Sequence, residues 1–200
     1  MTERLYTAAE TEVIRQKVLN NYALPKIKIV FAKYPQIKSA HFSVAQFWDD
    51  QAHDQVHDWL VYSVLDVPDS DAHTRSENKD SPLNCSNWSD LEWDNYFNTE
   101  IKDIVNLPGI SEEEYTELIT DDEWERLVNS PDFYDSNGME NEFVAAFAAF
   151  CKEGSNQCMD YSEAYTPYAL FTRIDTGIKV EIVGKMWRPW LDGIRPEADY

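Results

Sequence analysis

Glycine is scarce in this chain, with six in 200 residues. That argues against phosphate-cradling chemistry, because loops that wrap a phosphate need glycines at close spacing, and neither G-x-x-x-x-G-K-[ST] nor G-x-G-x-x-G occurs. Gly154-Ser155-Asn156 is not a G-x-S-x-G nucleophile elbow either. Cysteine is rarer still. Cys85, Cys151 and Cys158 form no C-x-x-C pair, and an odd number suits reduced thiols in a cytosol better than a disulfide framework. No apolar run approaches the roughly 20 residues of a membrane span, and the N-terminus lacks the basic, apolar, small-residue pattern of an export leader. The expectation is a soluble, cytoplasmic protein.

Positive charge is scarce in the middle of the chain. The formal net charge is −20, from 37 acids against 17 bases. Residues 1–48 carry seven Lys or Arg against three Glu, and residues 165–200 carry five of each sign. Residues 49–94 hold twelve acids beside Arg75 and Lys79, and residues 110–142 hold twelve more beside Arg126. A field so segregated repels nucleic-acid phosphates and anionic membrane surfaces and attracts cations or a basic protein. Binding to nucleic acid or to a membrane is therefore excluded as an expectation, and a basic protein partner is favoured.

The 43% of apolar and 14% of aromatic residues can fill a core of the size one domain needs. Thr7-Ala8-Ala9-Glu10 has the form of a capping box, followed by the stripe Ile14, Val18, Tyr22, which ends near Asn20-Asn21. Pro25 opens a second helical pattern, Ile27, Val30, Phe31 and Tyr34, that Pro35 stops. From Ser39 the period changes to two, through Ala40, Phe42 and Val44 to Phe47 and Trp48, and a second run, Trp59 to Leu65, returns beside it. The two make a hairpin joined by about ten polar residues. A polar stretch near 68–83 reads as a mobile loop, and the crowded rings Trp88, Trp93, Tyr96 and Phe97 read as a packed lid over the core. Ser111-Glu112-Glu113-Glu114 forms another capping box, and Thr120-Asp121-Asp122-Glu123 could cap a further helix. Phe143, Phe147, Phe150 and Cys151 recur at helical spacing among alanines, which makes Phe147 and Phe150 core residues and Cys151 a small buried hydrophobe. Tyr168–Ile174, the turn Asp175-Thr176-Gly177, and Ile178–Val183 make a second hairpin. Helices and hairpins without regular βαβ alternation predict one α+β domain over 1–200, with an antiparallel sheet of about four strands built from two hairpins and packed by about four or five helices.

Reactive side chains cluster most suggestively between Asp49 and Asp58. His53 and His57 are four apart, so on a helix they would share a face and could bind a divalent metal with Asp54 and Asp58. The hairpin instead places both histidines in the connecting loop, where that spacing means little, and no H-E-x-x-H glutamate accompanies them. The stretch therefore reads as a solvated connection, with a metal-dependent hydrolase as the alternative. Near the C-terminus, Trp187, Arg188 and Trp190 combine the residue types that concentrate binding energy at interfaces. The plainer account has the tryptophans close the sheet while the arginines pair with the acidic middle. Together these features predict a non-enzymatic interaction protein of bacterial type with no cofactor, whose acidic face, including Glu113, Glu117 and Asp121, docks a basic partner as an immunity protein or antitoxin docks a toxin.

Overall fold

Pro25 shapes the first helix. A computed structural model describes residues 5–48, 54–66, 118–134, 140–151 and 165–194. Within it α1 (Ala8–Val18) does not stop at the asparagines but runs through a π-helical turn, Leu19–Ala23, into α2 (Leu24–Lys33). The expected break between two helices is thus a widened turn in one continuous body. Its cause is local: proline has no N–H for the Asn21 carbonyl four residues back, and its ring crowds that carbonyl. The freed Asn21 carbonyl accepts instead from the Tyr134 N–H at 3.1 Å, so the irregularity becomes a docking point for a later segment. The capping box at the start of α1 is formed as expected, with the Thr7 oxygen accepting from the Glu10 N–H and Glu10 accepting from the Thr7 N–H. Ile27, Val30, Phe31 and Tyr34 are buried, as their spacing requires of a helix.

Four strands follow in two hairpins. β1 (Ser39–Trp48) pairs antiparallel with β2 (Asp54–Ser63), and β3 (Thr166–Ile174) pairs antiparallel with β4 (Gly177–Ile182). β1 also pairs antiparallel with β3, giving the order β2-β1-β3-β4. The register between β1 and β3 shifts between Phe42 and Ser43, where Pro167 enters. A proline cannot donate to the ladder, so a bulge is where a central strand tolerates one. β2 starts earlier than its apolar run suggests. The largely polar stretch Asp54–Asp58, in which only Val56 is apolar, is strand because the backbone groups of Val44–Trp48 need a partner and pairing supplies it.

α3 (Asp121–Val128) and α4 (Glu140–Phe147) complete the helices, and α4 tightens into a 3₁₀ turn, Ala148–Phe150. Counted as continuous bodies, the described residues hold three helices where four or five were expected; the fold class is α+β with a four-stranded antiparallel sheet. The core lies between the sheet and the helices α1, α2 and α4. Phe147 is fully buried there, 5.6 Å from Phe42, 4.8 Å from Phe143 and 5.0 Å from Tyr168 between ring centroids. Cys151 is buried in the same core, its thiol donating to the Phe147 carbonyl at 3.3 Å. The polar stretch 68–83, the rings of 88–97, the capping box at Ser111 and the other two cysteines lie outside the described residues. Among the described residues no helix is long and apolar enough to cross a membrane.

Candidate interaction surface

The acidic surface is represented by α3. Thr120 caps it with a full capping box, so the sequence-level expectation of a new helix there holds. Asp121, Asp122 and Glu123 occupy the first turn, where carboxylates oppose the positive end of the helix. The backbone N–H of Thr120 holds the Glu123 carboxyl below its ordinary range, helped by the Thr120 hydroxyl and by Lys33 and Arg126. No residue of α3 is buried. Asp121, Asp122 and Glu125 are exposed, and Trp124 and Val128 are 40% and 44% exposed among them. Glu113 and Glu117 lie outside the described residues.

What holds α3 against α2 is a set of cations from the basic N-terminal region. Lys33 reaches Glu123 at 3.8 Å. Lys26 lies 3.5 Å from the centre of the Tyr22 ring and 4.8 Å from that of Trp124, while Phe133 meets Trp124 edge-on at 5.8 Å. An ammonium between two ring faces is attracted by both quadrupoles. Between α2 and α3 runs a groove of about 510 Å³ lined by Ile29, Ala32, Lys33, Glu123, Arg126 and Leu127. The surplus of bases in residues 1–48 is therefore spent partly on the chain's own acids.

Beneath Lys26 sits Asp58. The Tyr22 hydroxyl donates to its Oδ1 at a long 3.4 Å. Burial raises the Asp58 carboxyl above its usual range, against the opposing pull of Lys26 and Tyr22. Burial likewise lowers Lys26 from 10.5 to about 8, with Asp58 pulling it back up. Across that window the unfolded chain holds a proton the folded chain has released, so the Lys26 contribution to stability rises with pH between about 8 and 10.5. Replacing Lys26 by methionine leaves the Asp58 charge uncompensated, and should cost roughly 1–3 kcal/mol at neutral pH. The penalty should shrink in acid, where the raised pKa lets Asp58 become neutral. Denaturant titrations of the variant and wild type at neutral and acidic pH check this, and an equal penalty at both would assign Lys26 a packing role alone.

Adjacent residues of a strand point to opposite faces, so His57 and Asp58 do not converge. Asp58 faces the helices, and His57 lies on the other face, opposite Ala45 in the ladder. His53 and the side chain of Asp54 lie outside the described residues, among which no three His, Cys, Asp or Glu side chains gather to hold a metal ion.

The C-terminal segment is strapped to the core by its backbone. The N–H groups of Trp187 and Arg188 both donate to the Ala149 carbonyl, at 2.7 and 2.8 Å. Arg188 turns inward and donates to the Gln46 side chain, a buried amide, and among the described residues it makes no ion pair with an acidic side chain. The tryptophans do not close the sheet: Trp187 and Trp190 are 49% and 66% exposed, alongside Met186. Gly193, at φ +83°, then lets the chain pass α1, where a Cβ would sit 2.5 Å from the Ala8 nitrogen. Asp121 and the Trp187–Trp190 pair thus rest on different supports, α2 for the first and the 3₁₀ turn after α4 for the second.

Sequence reasoning missed Arg15. It is buried, donating to the Ala146 carbonyl at 2.9 Å and to Asp192 Oδ1 at 3.0 Å, and it pairs with Glu12 at 3.0 Å. A signal was present, since Thr11, Ile14, Arg15 and Val18 fall at i, i+3, i+4, i+7 and all four are buried. The chain matches no protein-family model, no curated protein and no solved structure.

Proposed function

We propose that the protein is a non-enzymatic interaction protein whose acidic face receives a basic protein partner, in the manner of an immunity protein or antitoxin masking its toxin. The observation that carries this reading is α3: a well-capped helix with no buried residue, which exposes Asp121, Asp122 and Glu125 together with a 40% exposed Trp124. A part-exposed aromatic ring and exposed carboxylates on one helix supply an anchor and a steering field together. The exposed Trp187 and Trp190 would form a second contact, reached by a partner large enough to span both supports.

The test is kinetic. Basic proteins captured from the source cell by the immobilised chain are purified, and their association rates with the chain are measured across a salt series. Neutralising the helix with Asp121→Asn, Asp122→Asn and Glu125→Gln should slow association with the native partner roughly three- to tenfold at low ionic strength, with the difference fading as salt screens the field. Circular dichroism of the variant checks that the helices remain. Rates indifferent to both salt and substitution would defeat the acidic face as the docking surface.

A further inference from the structure

β4 is the edge of the four-stranded sheet among the described residues, and every one of its six residues except Ile178 is exposed. An edge strand offers a row of unpaired N–H and C=O groups, and natural proteins guard such edges with charged side chains, lysine above all, with proline, or with a bulge. β4 has no proline. Its one lysine, Lys179, is neutralised by Glu181 two residues on, at 2.8 Å on the same face. The opposite face of the strand is Ile178, Val180 and Ile182, with Val180 and Ile182 40% and 49% exposed. An unguarded, half-apolar edge of this kind invites another strand.

We propose that the occupant is a second copy of this chain, paired antiparallel along β4 about a two-fold axis through Val180. The argument is charge complementarity. A two-fold axis normal to a sheet keeps each side chain on its own face, so it must pass opposite a residue and not between two. Centred on Val180, it sets Lys179 of each copy against Glu181 of the other, and Ile178 against Ile182. Centred on Lys179 or on Glu181, it would oppose like charges, which destabilises a strand pair. Only one central register is therefore both electrostatically and apolarly self-matched, and it extends the sheet without interruption from one copy into the next. The interface is isologous, as a closed dimer requires.

The net charge of −20 opposes the meeting of two copies, but it is not spread evenly. Residues 165–200, which carry β4, hold five bases and five acids, whereas the surplus of acids resides in residues 49–94 and 110–142. The β4 edge belongs to the neutral part of the chain, where two copies meet with least repulsion. This inference is independent of the partner proposed for α3, which lies on another support.

The test is sedimentation equilibrium of the full chain over a concentration series reaching the millimolar range. Wild type should approach twice the monomer mass. Lys179→Glu alone and Glu181→Lys alone each turn both cross-strand pairs into like-charge pairs, and each should weaken dimerisation about tenfold or more. An equimolar mixture of the two single variants should recover a heterodimer of wild-type affinity, and the double variant Lys179→Glu/Glu181→Lys should recover the homodimer. Thermal unfolding of each variant checks that the weakened species are folded monomers. A wild type that stays monomeric throughout, or a dimer indifferent to the single reversals, would overturn the proposal.

Discussion

Truncating Phe147 to alanine should destabilise the fold by roughly 3–5 kcal/mol, a large part of what a domain of this size has to lose. The ring is fully buried and sits at the meeting point of both hairpins and α4, with Phe42 from β1 at 5.6 Å, Tyr168 from β3 at 5.0 Å and Phe143 from its own helix at 4.8 Å. Two of these contacts are edge-to-face, the arrangement in which aromatic quadrupoles attract. None of the three neighbours can follow a retreating side chain, because two are fixed in strands and the third in the helix, so a cavity remains. Phe147→Leu should cost much less, about 1 kcal/mol, because it keeps most of the volume. The measurement is the denaturation midpoint of each variant. A Phe147→Ala protein that unfolds at the wild-type midpoint would contradict this packing.

Phe147 was legible because its information is local. The spacing Phe143, Phe147, Phe150 announces a helix and its buried face, and the alternation of Ala40, Phe42 and Val44 announces a strand in the same way. Both hairpins could be read because Asp175-Thr176-Gly177 and the change of period at Ser39 lie beside what they organise. The rest depends on partners distant in sequence. Asp54–Asp58 is polar apart from Val56 and reads as loop, yet it is strand because β1 lies alongside it. The π turn follows from Pro25, but that its freed carbonyl would take the Tyr134 N–H depends on a residue more than a hundred positions away. The acidic helix α3 and its cap were visible, whereas the use of Lys26 and Lys33 to hold it was not, since lysines on a helix usually read as a solvated face. Of the residues singled out near the C-terminus, Trp187 and Trp190 are exposed but Arg188 turns inward, a difference that composition cannot express.

Replacing Arg15 by methionine should cost about 3–5 kcal/mol, comparable to losing the Phe147 ring, because removing one partner of a buried pair strands the other. Arg15 is 3% exposed, and its guanidinium lies 4.9 Å over the Phe150 ring. It joins three parts of the chain: α1, which carries it; α4, through the Ala146 carbonyl; and the C-terminal segment, through Asp192. Asp192 also accepts from the Thr11 hydroxyl at 3.0 Å, and that bond alone does not compensate a carboxylate whose side chain is 16% exposed. Arg15→Lys should recover little, since an ammonium has neither the reach nor the fork to satisfy the Ala146 carbonyl and Asp192 together while lying flat on a ring. The double variant Arg15→Met/Asp192→Leu removes the stranded charge along with its partner and should regain a large share of the loss. The local consequence reaches the proposed interaction surface, because Asp192 is one of the ties that hold the segment of Trp187 and Trp190 against the helices. Arg15→Met should therefore make that segment open more readily than the sheet, which hydrogen exchange of the Trp187 and Arg188 amides would detect as a loss of protection while the strand amides keep theirs. Equal loss of protection in strand and segment would mean that Arg15 supports the whole fold uniformly, and unchanged stability in the single variant would remove it from the core altogether.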